Sequence, residues 1–143
     1  MQSQTIIGKQ FPTIISPLIE GAKKSIRIVV FDWRWYSNDP GCLVQLFNQA
    51  IIRAARRGVK IEAICNNDFL IGVLKENGVA AKKITTNGIM HSKLMIIDDN
   101  TVVIGSHNYT QAAFTINREL SVALSDVENV ADFNLFFEQL WQL

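Results

Sequence analysis

The chain has little of the material from which several protein classes are built. Only two of its 143 residues are cysteine, Cys42 and Cys65, and their spacing suits neither a metal-ligand pair nor a disulfide framework. Both read as buried free thiols. No apolar run is long enough to span a bilayer, and residues 1–10 lack the basic-then-apolar order of a secretory signal. The expectation is a cytoplasmic chain as it stands, with a periplasmic one open if a signal was removed. A dominant charge is missing as well. Fourteen basic side chains face thirteen acidic ones for a net +1, so no global field draws in polyanions, and any grip on phosphate must come from local placement. There is no internal repeat, low-complexity tract or linker. Histidine is scarce too, with His91 and His107 alone.

What is present suits a globular chain. Hydrophobic residues make up 48% and charged residues 19%, and this length can bury a sizeable core as one domain, 1–143. Ser16-Pro17 has the form of an N-cap followed by proline at the first helical position, which predicts a short helix to about Lys24. Ile26 to Phe31 is a nearly unbroken apolar run, as in a strand buried on both faces. It runs into Asp32-Trp33-Arg34-Trp35-Tyr36 before Asn38-Asp39-Pro40-Gly41 breaks regular structure. That cluster fits two roles equally, lining a cleft at a sheet edge or covering the end of the core.

Leu43 to Arg57 reads as a helix with Leu43, Leu46, Phe47, Ala50, Ile51 and Ala54 as its apolar stripe. Arg53, Arg56 and Arg57 complement the dipole of its last turn, and Gly58 stops it. Val59 to Cys65 alternates as a strand. Asn67-Asp68 opens a helix over Phe69 to Glu76, closed by Asn77-Gly78. Val79 to Ile84 is a short strand carrying Lys82 and Lys83. Ile89 to Asp98 and Thr101 to Gly105 form two strands joined by a turn at Asp99-Asn100. Glu119 to Leu124 is a further strand. Ser125 and Glu128 have capping-box spacing for a last helix to about Trp141. The order predicts an α/β fold, a mixed, mostly parallel sheet with helices on both faces.

The chemistry concentrates between His91 and Glu119. His91 and Lys93 stand two apart on an expected strand, so both side chains leave one face. An imidazole beside a fixed ammonium suits phosphate: the lysine neutralises non-bridging oxygens while the histidine attacks phosphorus or passes a proton. The hairpin after Asp98 brings the next strand alongside. Its end places Ser106 and Asn108 to donate hydrogen bonds to the same oxygens, with Gly105 permitting close approach of backbone and substrate. Glu119 is placed to accept the other imidazole N–H of His91. Each residue alone is weak evidence; two polar pairs joined by a hairpin point to a phosphate-handling site.

The pattern His91-x-Lys93, four residues, Asp98, six residues, Gly105-Ser106-x-Asn108 resembles the HKD signature of the phospholipase D superfamily, and every fixed position is met. Segments 22–28 and 56–61 resemble that family's first strand and the entry to its second. The resemblance implies a two-step displacement with no metal or other cofactor. A histidine attacks phosphorus to form a phosphohistidine, and a second histidine protonates the leaving alcohol. Residue by residue, it implies catalytic roles for His91, Lys93, Ser106, Asn108 and Glu119. Asp98 matches the motif's aspartate and, facing the other side of a regular strand, is expected to support the hairpin.

The family needs two motifs per site and this chain has one, at 91–108. His107 occupies the variable position and is expected to point away from Ser106 and Asn108. The implied partner is a second copy, in a homodimer with a shared site. The last helix, with Phe133, Phe136, Phe137, Leu140 and Trp141, is a candidate for the interface as well as for the core. Small single-motif members of this superfamily resemble bacterial Nuc-type endonucleases. A metal-independent nuclease on DNA or RNA is therefore the favoured expectation, with Arg34, Trp35, Lys82, Lys83 and the tail of the 43–57 helix as candidate substrate contacts. The alternatives are a phospholipase D or transphosphatidylase on lipid head groups, and a non-catalytic nucleic-acid-binding dimer module.

Overall fold

The computed structural model describes residues 1–143, and its strands form one seven-stranded sheet. The elements are β1 (Gln2–Ile7), α1 (Gln10–Glu20), β2 (Ser25–Val29), α2 (Leu43–Arg56), β3 (Lys60–Ile64) and α3 (Asp68–Glu76). There follow β4 (Ala80–Lys82), β5 (Leu94–Ile97), β6 (Thr101–Gly105), α4 (Gln111–Thr115), β7 (Leu120–Ser125) and α5 (Val130–Trp141). The strand order is β1-β7-β6-β5-β2-β3-β4.

The sheet is mixed and flanked by helices on both faces, as expected, but it is not mostly parallel. Only β2–β3 and β3–β4 pair in parallel, each pair bridged by a helix; the other four ladders are antiparallel. Hairpin connections and the return of β7 to the N-terminus produce that balance, because antiparallel neighbours need no crossover helix.

β1 gave no sequence signal. It is an edge strand paired with β7 alone, and Ile6 is its one buried residue, so no alternation marks it. The first helix also starts earlier than Ser16-Pro17 indicates. Phe11, Ile15 and Ile19, four apart, bury one stripe from Gln10 onward, and Pro17 lies inside the helix on an exposed position. Burial of that stripe outweighs the loss of one intrahelical hydrogen bond at proline.

α2 matches its expected span, yet its inner face differs. Leu43 and Leu46 are exposed, whereas Val44, Gln45, Asn48 and Ile52 are buried. The two buried amides are satisfied: Asn48 Oδ1 accepts from the Trp33 indole at 2.7 Å, and its Nδ2 donates to Arg34 O at 2.9 Å. Gln45 Oε1 accepts from Tyr36 N at 2.9 Å. Buried polar atoms must find partners, and these find them in the Trp33 indole and in the backbone of Arg34 and Tyr36.

The last helix lacks its capping box. β7 runs through Ser125, Asp126 adopts a positive φ of 54°, and α5 starts at Val130 after Asn129 with no side-chain cap. Instead Arg27 of β2 anchors α5. Its guanidinium lies 4.9 Å from the Phe137 ring centroid, pairs with Glu62 at 3.2 Å, and also engages Glu138 and Asn134. Phe137 packs with Val29, Ile64, Leu94, Ile96 and Val102 on this face of the sheet, while α1, α2, α3 and α4 cover the main core on the other.

Candidate active site

Strand register gathers the site. A row of paired residues, Ile64, Val29, Leu94, Ile104 and Val122, crosses five adjacent strands. Because β5 and β7 run opposite to β2, β3 and β6, the residues just past this row all emerge at one sheet edge. They are Asn66 after β3, Phe31 and Asp32 after β2, His91 and Lys93 before β5, Ser106 and Asn108 after β6, and Glu119 before β7. Segments far apart in sequence thus meet without any of them being long.

His91 and Lys93 lie ahead of β5 in irregular backbone, not within a strand, and still converge. Lys93 Nζ is 3.1 Å from His91 Nδ1 and 3.3 Å from Nε2, and it donates to the His91 carbonyl at 2.9 Å. An ammonium has donors only, so the ring nitrogen it bonds presents a lone pair. Burial lowers the Lys93 pKa from its usual value, opposed by the negative charge of Glu119. The His91 ring is exposed, with the Phe31 ring 5.6 Å away between centroids.

Glu119 does not bond His91. Its Oε1 accepts from Ser106 Oγ at 2.5 Å and its Oε2 from Asn117 Nδ2 at 3.2 Å. Ser106 therefore commits its one proton to the carboxylate, and its oxygen also accepts from Leu120 N at 3.0 Å. It reaches a phosphate as a donor only by releasing Glu119. Asn108 is held differently: its Oδ1 accepts from Asp32 N at 3.1 Å, which leaves Nδ2 with no protein partner and available to an anion.

Gly105 serves strand packing. A Cβ there would lie 2.1 Å from Ser121 Oγ, 2.3 Å from Ser121 Cα and 2.5 Å from Leu120 O. Asp98 sits at the opposite edge of the sheet and supports the hairpin as expected. Its carboxylate accepts from the N–H groups of Lys23, Lys24 and Ser25 at 2.7–3.2 Å, tying the β5–β6 turn to the entry of β2.

His107 points away from Ser106 and Asn108, into the core. Nε2 donates to Gly8 O at 2.8 Å and Nδ1 accepts from Ser121 Oγ at 2.7 Å, with Phe11 stacked 4.5 Å away. Burial, as the largest cause, holds its pKa below the usual imidazole value, so it is a neutral structural residue.

The candidate substrate contacts divide. Arg34 is exposed near the site but paired with Asp32 at 2.7 Å, and Trp35 is partly buried against the core. Of the two roles open for the 32–36 cluster, covering the end of the core is realised, since Trp33 is fully buried and Trp35 and Tyr36 pack against the core. Lys82 packs over the Trp141 ring at 4.8 Å, on the α5 face. Lys83 lines a cleft of about 390 Å³ that also touches Phe31 and Met90. Arg53 and Arg57 bind Glu20 and the α1 C-terminus, and Arg56 binds Asn77, all at the far edge. They do not approach the site. Nothing in the sequence pattern singles out Phe31 or Asn66 as site residues; only the strand ends place them there.

No helix is long and apolar enough to cross a membrane. Residues 15–141 match the family model described as cardiolipin synthase, PLD-like domain. The mitochondrial cardiolipin hydrolase of Xenopus laevis is 30% identical over 128 residues, covering 85% of this chain and 57% of that protein. The chain thus spans a little over half the length of the curated relative. Two solved structures share the fold: NucT from Helicobacter pylori, with a TM-score of 0.78, and Nuc from Salmonella typhimurium, a phospholipase D family member, with 0.79. Both are 22% identical and cover 99% of this chain, which covers 96% and 95% of them. The family match, spanning nearly the whole chain and enclosing the convergent His91-Lys93 and Ser106-Asn108 pairs, places this protein in the phospholipase D superfamily of phosphodiesterases.

Proposed function

We propose that the chain is a metal-independent endonuclease that cleaves phosphodiester bonds of DNA or RNA, with one site shared between two copies. The observation that carries the reading is the Lys93 ammonium against the exposed His91 ring, beside the unpartnered Nδ2 of Asn108's pinned amide. The imidazole lone pair attacks phosphorus, an N–P bond forms, and the P–O bond to the leaving alcohol breaks. His91 of the second copy protonates the departing oxygen. That residue then takes a proton from water, which attacks phosphorus as the N–P bond breaks. Lys93 and Asn108 hold the non-bridging oxygens, and Glu119 positions Ser106 while supporting the charge on Lys93. A single copy supplies one such histidine because His107 is engaged in the core.

The full fit to two compact Nuc-type structures supports a nuclease reading, whereas the family description and the named hydrolase relative favour a lipid phosphodiester such as cardiolipin. A binding module without catalysis is the third outcome. Labelled DNA and RNA incubated in excess EDTA, wild type beside His91→Asn, separates them. Cleavage by wild type alone is the expected result. Hydrolysis of cardiolipin vesicles without nucleic-acid cleavage selects the lipid reading, and tight nucleic-acid binding unchanged in His91→Asn without any turnover selects the module. Sedimentation equilibrium decides the shared site: a fully active monomer sinks it.

A further inference from the structure

We propose that His107 is a positioning residue for the reaction: its neutral ring fixes the short bridge of backbone that aims the Asn108 amide and the Ser106 hydroxyl at the phosphate. The proposal rests on the phosphate-holding role given to Asn108 above, whichever diester is cut. The motif leaves position 107 variable, so a histidine is not needed there to complete the pattern. At one end of the bridge, Ser106 N donates to Leu120 O of β7 at 3.0 Å. At the other, Tyr109 N donates to Asp32 O, past the end of β2, at 2.9 Å. In the sheet β5 lies between β6 and β2, so residues 106–109 cross the end of β5 that carries Lys93. Along that crossing the backbone N–H and C=O groups of His107 and Asn108 make no hydrogen bond within the protein.

With no ladder to hold it, the bridge rests on two side chains. Asn108 is one, through the Asp32 N–H that its Oδ1 accepts at 3.1 Å, but the other end of that amide is the group offered to substrate. His107 is the second tether, and it is 1% exposed. Its two partners flank Glu119. Gly8, whose carbonyl accepts from Nε2, donates its own N–H to Glu119 O at 2.9 Å; Ser121, whose hydroxyl donates to Nδ1, stands two residues after Glu119. Glu119 in turn holds Ser106, the residue before His107. A closed circuit therefore runs through His107, Gly8, Glu119 and Ser106, and opening it at the ring frees the bridge between its end anchors. Gly105 belongs to the same arrangement, because a Cβ there would lie 2.1 Å from the Ser121 hydroxyl that the ring needs. Packing gives the ring no second position: the gap it shares with Phe11, Lys93 and Tyr109 is about 10 Å³. An apolar side chain of similar size fills that space, but only a group with both a donor and an acceptor completes the circuit.

The test compares wild type with His107→Leu, His107→Gln and Ser121→Ala. Two readouts are taken: KM and kcat on bis(para-nitrophenyl) phosphate, and the Kd of inorganic phosphate by titration calorimetry. A role confined to stability lowers the folded fraction, and with it the apparent kcat, but leaves KM and the phosphate Kd where they are. His107→Leu should raise the phosphate Kd about tenfold, with KM rising alongside, because small displacements of positioned groups are costly. His107→Gln, which keeps a donor for Gly8 and an acceptor for Ser121, should stay within about threefold of wild type. Ser121→Ala, which opens one of the two bonds, should fall between them. Wild-type KM and phosphate Kd in His107→Leu overturn the proposal, as does a His107→Gln variant as impaired as His107→Leu. If His107→Leu does not fold, Ser121→Ala decides, and a phosphate Kd unchanged in it overturns the proposal. If wild type hydrolyses no diester, the function reading falls and phosphate binding alone decides. A Kd weakened in His107→Leu and retained in His107→Gln supports the positioning role; absence of phosphate binding by wild type overturns it.

Discussion

Ser106 and Glu119, thirteen residues apart, share one short hydrogen bond, with Ser106 Oγ donating to Glu119 Oε1 at 2.5 Å. The bond crosses from the end of β6 to the start of β7 and sets the Ser106 oxygen beside the Leu120 N–H. Glu119 is thus a positioning residue whose effect passes through Ser106 and through the charge on Lys93, not through the His91 ring.

Coupling is the first consequence. Glu119→Ala should lower kcat on a phosphodiester by about 10–100-fold, the range for a lost outer hydrogen-bond partner. Ser106→Ala/Glu119→Ala should cost little more than the worse single variant, because the two side chains share one interaction. Strictly additive losses in a double-mutant cycle would contradict this. Glu119→Gln, which keeps an acceptor for Ser106, should retain more activity than Glu119→Ala.

The electrostatics of Lys93 yield a pH signature. Burial depresses its pKa below the usual 10.5 and Glu119 pushes back. The group is needed charged, so the alkaline limb of kcat/KM should fall below the ordinary lysine range. Removing the opposing charge in Glu119→Gln should move that limb to still lower pH. Lys93→Ala should lose about 3–4 kcal/mol of transition-state stabilisation, roughly two to three orders of magnitude in rate. A pH–rate profile of the three proteins checks both statements, and an alkaline limb unmoved by Glu119→Gln counts against the assignment.

Asp98 bears on stability. Burial works to raise its carboxyl pKa, but the N–H groups of Lys24, Lys23 and Ser25 outweigh it and hold the group below its usual 3.8. A carboxyl depressed in the folded state contributes stability in full above its unfolded pKa and loses it as pH falls through the folded value. Asp98→Ala should cost about 1 kcal/mol at neutral pH, since it removes charge-assisted bonds to three backbone donors that are mostly open to water. The difference should narrow in acid below the usual carboxylate range. Urea unfolding of both proteins at the two pH values measures it; a constant difference would refute the linkage.

Gly105→Ala should destabilise by about 1–3 kcal/mol, since its Cβ has no place beside Ser121 and Leu120 unless a strand shifts. The shift carries Ser106 with it, so activity should fall alongside the melting temperature. A variant with an unchanged Tm would disprove the close contact.

The sequence alone determined the local elements and the chemical roster. Strong periodicity marked α2 and α3, because amphipathic spacing and the Asn67 cap act within a few residues, and Asn67 Oδ1 does accept from Leu70 N. The spacing of His91, Lys93, Asp98, Ser106 and Asn108 identified the motif, since two-residue steps and a hairpin are local geometry. What it did not contain depends on contacts across the chain. β1 forms because β7 offers an edge, a condition written in residues more than a hundred positions away. Helix α1 starts at Gln10, against the Ser16-Pro17 signal, because burying Phe11 outweighs a cap. The bond from Ser106 to Glu119, the core placement of His107 and the cleft behind Phe31 follow from which strand ends share an edge. Strand order decides that, and order is a property of the assembled sheet.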